Sequence, residues 1–196
     1  MAQGVAILAA APRWLGVLLL CSAALVTPSG AAEEGRITIR EATTRQQAGV
    51  WFLDARIDYS LNEAATEALQ SGLALDVELV ISLTERRRLL WDPEFAGLKQ
   101  HYELQYHALT ERYIVRNLNS GEQATFAGIG AALAHLGDVR YLPLIDDALL
   151  DPGERYDVSL RAVLDIKQLG GPLALIGFLW DDWRIVSEWK RWRLRP

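Results

Sequence analysis

Between Leu73 and Leu83 every second residue is a large aliphatic. Leu73, Leu75, Val77, Leu79, Ile81 and Leu83 share one side of an extended chain, and Ala74, Asp76, Glu78, Ser82 and Thr84 fall on or beside the other. A period of two is incompatible with a helix, whose faces recur about every 3.6 residues, so this stretch is a strand with one buried face. The same pattern returns four times. Trp51, Leu53, Ala55, Ile57 and Tyr59 oppose Asp54, Arg56 and Asp58; Tyr102, Leu104, Tyr106 and Ala108 form a second set, and Tyr113 with Val115 a third. The last set, Tyr156, Val158, Leu160, Ala162, Leu164 and Ile166, opposes Arg155, Asp157, Ser159, Arg161, Asp165 and Lys167, and Ile37 with Ile39 opens a shorter segment. Parallel strands are covered on both faces and read as continuous apolar runs. Alternation this regular therefore predicts antiparallel sheet with one wetted face.

Helical signals are few. Ser60 and Glu63 have the spacing of a capping box, Leu61, Ala64, Ala65, Ala68 and Leu69 recur at helical spacing, and Gly72 is a stop. A second helix is predicted from about Gln123 to Leu136, with Ser120 and Gln123 as its capping box, Phe126, Ile129, Leu133 and Leu136 as its apolar stripe and Gly137 as its end. Gly128 and Gly130 would each weaken that helix by about 1 kcal/mol relative to Ala, a cost that a close approach to the sheet would explain. Residues 172–180 form a third candidate. The fold class is α+β, a large antiparallel sheet with two or three short helices, and the alternative is a sandwich with helical connections.

The amino-terminal thirty-two residues have a different character. Arg13 is their only charged side chain, Trp14 to Val26 is apolar, and Gly30-Ala31-Ala32 offers the small residues that a signal peptidase reads. The expectation is a signal peptide over 1–32, cleavage before Glu33, and one exported, periplasmic or secreted domain over 33–196. An uncleaved inner-membrane anchor through residues 14–32 is the rival, and Pro28, Ser29 and Gly30 argue against it by breaking helix where an anchor would continue. A lipid-modified Cys21 is disfavoured because Leu20 occupies the preceding slot, which such motifs fill with a small residue. No twin-arginine pair is present, so export of the unfolded chain is expected.

Composition then excludes several chemistries. Cys21 is the only cysteine, so the mature chain would have no disulfide, no thiol nucleophile and no thiolate ligand for zinc or iron–sulfur clusters. The formal charge is −5, or −6 once Arg13 is lost with the leader, which suits nucleic acid poorly. No phosphate loop, Gly-x-Ser-x-Gly elbow or His-Glu-x-x-His motif occurs. His101, Glu103, Gln105 and His107 share one strand face, but at about 6.6 Å per two residues the histidines stand roughly 20 Å apart and cannot share an ion. Asp146-Asp147 and Asp181-Asp182 are read as caps and turns, because neighbours on extended chain point to opposite faces. No cofactor, metal or small-molecule ligand is expected.

Two surfaces remain as candidates. The carboxyl-terminal stretch mixes Trp189 and Trp192 with Arg191 and Arg193, a combination that suits protein hot spots and membrane interfaces as well as a plain edge strand. Alternation puts the two tryptophans on opposite faces. The other surface is the basic run Arg86, Arg87 and Arg88, with Trp91 close behind.

Certain passages resemble a family of exported proteobacterial proteins known only as a domain of unknown function. They are Asn62-Glu63-Ala64-Ala65 through Gly72-Leu73-Ala74-Leu75, then Tyr106-His107-Ala108-Leu109 with Tyr113 and Val115, and finally Asp182-Trp183-Arg184 with Ser187 and Trp189. The resemblance implies export and a shared fold, and it transfers no catalytic residue. The expected function is a non-catalytic periplasmic binding or adaptor domain acting through an envelope protein or the membrane surface. The alternatives are an enzyme with a cleft of scattered polar residues and a structural envelope-assembly factor.

Overall fold

The computed structural model describes residues 34–86, 94–166 and 184–194, all within one compact unit, Ala32–Pro196. Residues 1–32, expected to be a signal peptide, residues 87–93 and the third candidate helix at 172–180 lie outside the described residues. In chain order the elements are β1 (Arg36–Gln47), β2 (Val50–Ser60), α1 (Glu63–Gln70), β3 (Leu75–Glu85), β4 (Glu94–His107), β5 (Arg112–Asn117), β6 (Gln123–Phe126), α2 (Ile129–Gly137), β7 (Asp138–Asp146), β8 (Tyr156–Ile166), β9 (Ile185–Val186) and β10 (Lys190–Leu194). A single 3-10 turn, Asp147–Leu149, follows β7.

All pairings are antiparallel, and they make two sheets that share one core. The smaller has the order β1-β2-β7, and the larger β10-β8-β3-β4-β5-β6, with β9 also paired to β8. The fold is α+β, and the second sheet supplies the cover that a single sheet would lack. The alternating sets sit as their periodicity requires. Leu53, Ile57, Leu75, Val77, Leu79, Leu104, Val115, Tyr156, Val158, Leu160 and Leu164 are buried, while Arg56, Asp58 and Arg116 are exposed.

Local chemistry explains where elements stop and turn. The β1–β2 hairpin closes on Ala48 and Gly49, both at positive φ (52° and 80°), the geometry of a two-residue turn whose twist matches the strands. The β1 register slips between Ile39 and Glu41, so that Ala42 and Thr44 take the inward phase after Ile37 and Ile39 have filled it. This bulge ends the short alternation visible in the sequence.

Several expectations are corrected. The cap of α1 is Asn62, not Ser60: its Oδ1 accepts from the Ala65 N–H at 2.8 Å. At the other end Gly72 N–H bonds Leu69 O and Leu73 N–H bonds Ala68 O, with Gly72 at φ 86°. Leu73 thus closes a Schellman motif and precedes β3 instead of opening it. Gln123–Phe126 is a strand on β5, so the helix predicted from Gln123 begins six residues later at Ile129. Ser120 caps nothing helical; its Oγ accepts from Glu122 N–H within a turn that Asn117 Oδ1 organises by accepting from Asn119 and Ser120. Ala108 belongs to the β4–β5 turn and is exposed.

The glycines of α2 are corrected as well. Added side chains at Gly128 and Gly130 would meet nothing within 4 Å, whereas a Cβ on Gly137 would stand 1.9 Å from the carbonyl oxygen of Ile57 in β2. The close approach therefore belongs to the residue read as a stop. A second one joins the chain ends of the domain, where a Cβ on Gly35 would collide with Ile185 Cδ1 at 2.2 Å.

Candidate functional site

β10 lies at one edge of the larger sheet, paired to β8 with Lys190 opposite Leu160, Arg191 opposite Ser159, Trp192 opposite Val158, Arg193 opposite Asp157 and Leu194 opposite Tyr156. Trp192 and Leu194 point inward, while Lys190 at the start of the strand is exposed. Leu194 is buried, and Trp192 is half-buried against the core with its indole Nε1 donating to Thr44 Oγ1 of β1 at 3.3 Å. Arg191 and Arg193 take the outer face and are exposed.

Ser187 explains how Trp189 reaches that outer face. Its Oγ accepts from Ala162 N–H at 3.0 Å and donates to Glu188 O at 2.9 Å, while its own N–H bonds Ala162 O. A side chain here replaces one backbone acceptor, so regular pairing stops after β9 and the chain steps out before β10 begins. Trp189 emerges 38 % exposed, with the Arg161 guanidinium of β8 5.5 Å from its ring centroid.

Arg86 joins the same surface from the end of β3. Its Nε lies 2.8 Å from Asp157 Oδ2, and its N–H bonds Arg155 O at 2.7 Å. Asp157 is also the cross-strand neighbour of Arg193. The basic run and the carboxyl-terminal stretch, separate in sequence, thus meet at one carboxylate. The strip so formed comprises Trp189, Arg191, Arg193, Arg161, Arg86, Ser159 and Asp157, with Asp157 paired to Arg86 and opposite Arg193. Arg87, Arg88 and Trp91 lie outside the described residues.

Sequence reading did not single out Arg161, Ser159 or Asp157, and Asp157 is the one that joins the two segments. Its outward phase was visible in the alternation of β8, but its pairing to Arg86 depends on the β3–β8 register, in which Thr84 stands opposite Asp157.

A second surface cluster also escaped the sequence. Tyr141, at positive φ (54°) in a bulge of β7, is 55 % exposed, with the Arg45 guanidinium 3.9 Å from its ring centroid and Phe52 edge-on at 6.3 Å. Asp54 holds this arrangement together, accepting from Tyr141 N–H at 3.0 Å and from Arg45 at 2.9 Å. Because the Arg45 fork is filled by Asp54, the cluster stabilises the bulge and leaves no unmatched charge.

The carboxylates of Asp146 and Asp147 have structural partners. Asp146 Oδ1 caps the 3-10 turn through Ala148 N–H, and Asp147 Oδ1 accepts from Trp51 Nε1 at 2.7 Å. His101 and His107 are exposed on β4, the latter 3.0 Å from Thr110 Oγ1 through Nδ1. Among the described residues no group of three or more His, Cys, Asp or Glu side chains could hold a metal ion, and no helix is long and apolar enough to cross a membrane.

The sequence profile of the family described as Domain of unknown function (DUF4390) matches residues 34–193. The chain belongs to that family. The match runs from just before β1 into β10, so both sheets and the Trp189–Arg193 strip are part of the DUF4390 domain itself. No curated protein and no solved structure matches the chain.

Proposed function

We propose that the protein is exported, loses residues 1–32, and works in the periplasm as a non-catalytic adaptor whose Trp189–Arg193 strip binds an acidic segment of an envelope protein. The observation that carries this reading is that Arg86, Arg161, Arg191 and Arg193 share one outer surface, where Asp157 is paired with Arg86 and stands opposite Arg193, on a chain whose overall charge is −5. A local surplus of arginine on an acidic molecule is a directed field, which steers and orients an acidic partner. Trp189, half exposed beside it, is the residue type that anchors protein interfaces. The supporting sequence pattern for export is the apolar run Trp14 to Val26 followed by Gly30-Ala31-Ala32.

The test is position-specific photocrosslinking in cells that make the protein. A photoreactive residue at position 191 should give one discrete protein adduct, and the same residue at exposed position 46 on β1 should give none. Absence of an adduct from positions 189, 191 and 193 alike would overturn the reading.

A further inference from the structure

Edge strands are the one place where a sheet leaves half of its backbone groups unpaired. β10 pairs with β8 on one side, and among the described residues no strand pairs with its other side. Every second residue of such a strand turns its N–H and C=O outward, ready to continue the ladder. Contact with the smaller sheet does not close this edge. The contact that fixes β10 against β1 runs through a side chain on the inner face, Trp192 Nε1 to Thr44 Oγ1.

The side chains add a reading frame. Arg191 and Arg193 stand on the same outer face, about 6.6 Å apart along the strand. On the β8 side Arg191 meets neutral Ser159, and Arg193 meets Asp157, whose Oδ2 is already 2.8 Å from Arg86 Nε. Among the described residues neither cation has a carboxylate to itself, and the β8 side of both is taken, which leaves the outer edge of β10. A strand laid along that edge would place its own residues opposite Arg191 and Arg193 with Cβ atoms about 5 Å away, so acids at i and i+2 would complete both pairs. The residue between them would point to the same side as Trp192, which packs against the core, so an apolar side chain suits that position.

We infer that the acidic partner binds by adding a strand to the free edge of β10, as an extended segment of the pattern acid, apolar, acid. This inference rests on the adaptor reading above and specifies its mode. Ser187 delimits the site: by breaking the regular edge between β9 and β10 it confines the added strand to the five residues Lys190–Leu194. Main-chain hydrogen bonds supply affinity in this mode and alternate side chains supply specificity.

The probe is an acetylated, amidated heptapeptide of alternating glutamate and valine, measured by fluorescence anisotropy against the protein purified from the cell envelope. Two versions carry N-methyl groups on complementary sets of alternate amides. Strand addition predicts that one set weakens binding at least tenfold while the other leaves it within about twofold, since only one set faces β10. Arg191→Ala with Arg193→Ala should weaken binding of the unmodified peptide at least tenfold, with an unchanged circular dichroism melt. Equal binding of all three peptides would overturn strand addition and leave a purely electrostatic docking surface. No binding of any peptide, together with a positive crosslink at position 191, would overturn the strand mode while the adaptor reading stands. Binding to phosphatidylglycerol vesicles in place of peptide would overturn both.

Discussion

Gly137, the last residue of α2, lies against Ile57 of β2 so closely that a Cβ on it would stand 1.9 Å from the Ile57 carbonyl oxygen. No rotamer relieves a clash of Cβ with backbone. Gly137→Ala should therefore cost at least about 3 kcal/mol, the upper end of overpacking penalties, because helix and strand must separate. Gly130→Ala, with nothing within 4 Å of the added carbon and a helical backbone, should instead stabilise by about 0.5 to 1 kcal/mol. Urea unfolding of the two variants checks the pair, and equal effects would contradict the packing described.

Strand phase predicts a second contrast. Leu79 and Leu160 are fully buried between the sheets, so truncation of either to Ala should cost about 2 to 5 kcal/mol. Glu78, adjacent to Leu79 but on the outer face, pairs with Lys99 at 2.7 Å, where the lysine is well exposed. A surface pair of this kind contributes little, and Glu78→Ala should change stability by about 0.5 kcal/mol. Thermal or urea melts that rank Glu78 with the leucines would refute the assigned faces.

Tyr59 gives a pH-dependent prediction. Its hydroxyl is buried with no hydrogen-bond partner among the described residues, and burial, with Tyr102 as the second cause, drives its pKa well above the ordinary phenol value. Tyr102 is shifted in the same direction, chiefly by its own burial and then by Glu122. Folding favours the neutral phenol, so this contribution is complete below about pH 10, where an unfolded tyrosine titrates, and is lost as pH rises above it toward the folded-state pKa. Tyr59→Phe removes a hydroxyl that gains nothing from folding. It should leave stability at pH 7 unchanged or raise it by about 1 kcal/mol, and it should reduce the fall in stability above pH 10. Destabilisation by more than about 1 kcal/mol at pH 7 would show that the hydroxyl has a partner.

The contrast between the strands and the connections explains what the sequence disclosed. Alternation in Trp51–Tyr59, Leu75–Leu83 and Tyr156–Ala162 is regular because each stretch has one face on the core, and a burial pattern imposed residue by residue is written directly in the residue types; it breaks at Val163, which is buried where β9 pairs with β8. Gln123–Phe126 is too short for its own period to show. Phe126 was drawn into the helical stripe of Ile129, Leu133 and Leu136, although pairing with Tyr113 across the sheet decides its state. Gly137 was legible as a glycine and not as a contact, since the Ile57 carbonyl approaches it across eighty positions of chain. The candidate site divides the same way. Trp189 and Trp192 were placed on opposite faces by parity alone, whereas the junction of Arg86 with Arg193 at Asp157 exists only through β3–β8 and β8–β10 register.

Export makes a prediction of its own. Intact-mass measurement on protein from an envelope fraction should find a chain beginning at Glu33, and reducing agent should leave its melting curve unchanged, because the proposed cleavage would remove Cys21. A species retaining Trp14 to Val26 would favour the membrane-anchored alternative.

The most direct test of the adaptor account is the crosslink from position 189 in the wild-type strip and in the double variant Arg191→Glu with Arg193→Glu. Both arginines are exposed and neither covers the core, so the variant should melt within about 2 °C of the wild type. The account predicts a discrete adduct from the wild-type strip and its disappearance on charge reversal. An adduct of unchanged yield in the folded double variant would contradict it.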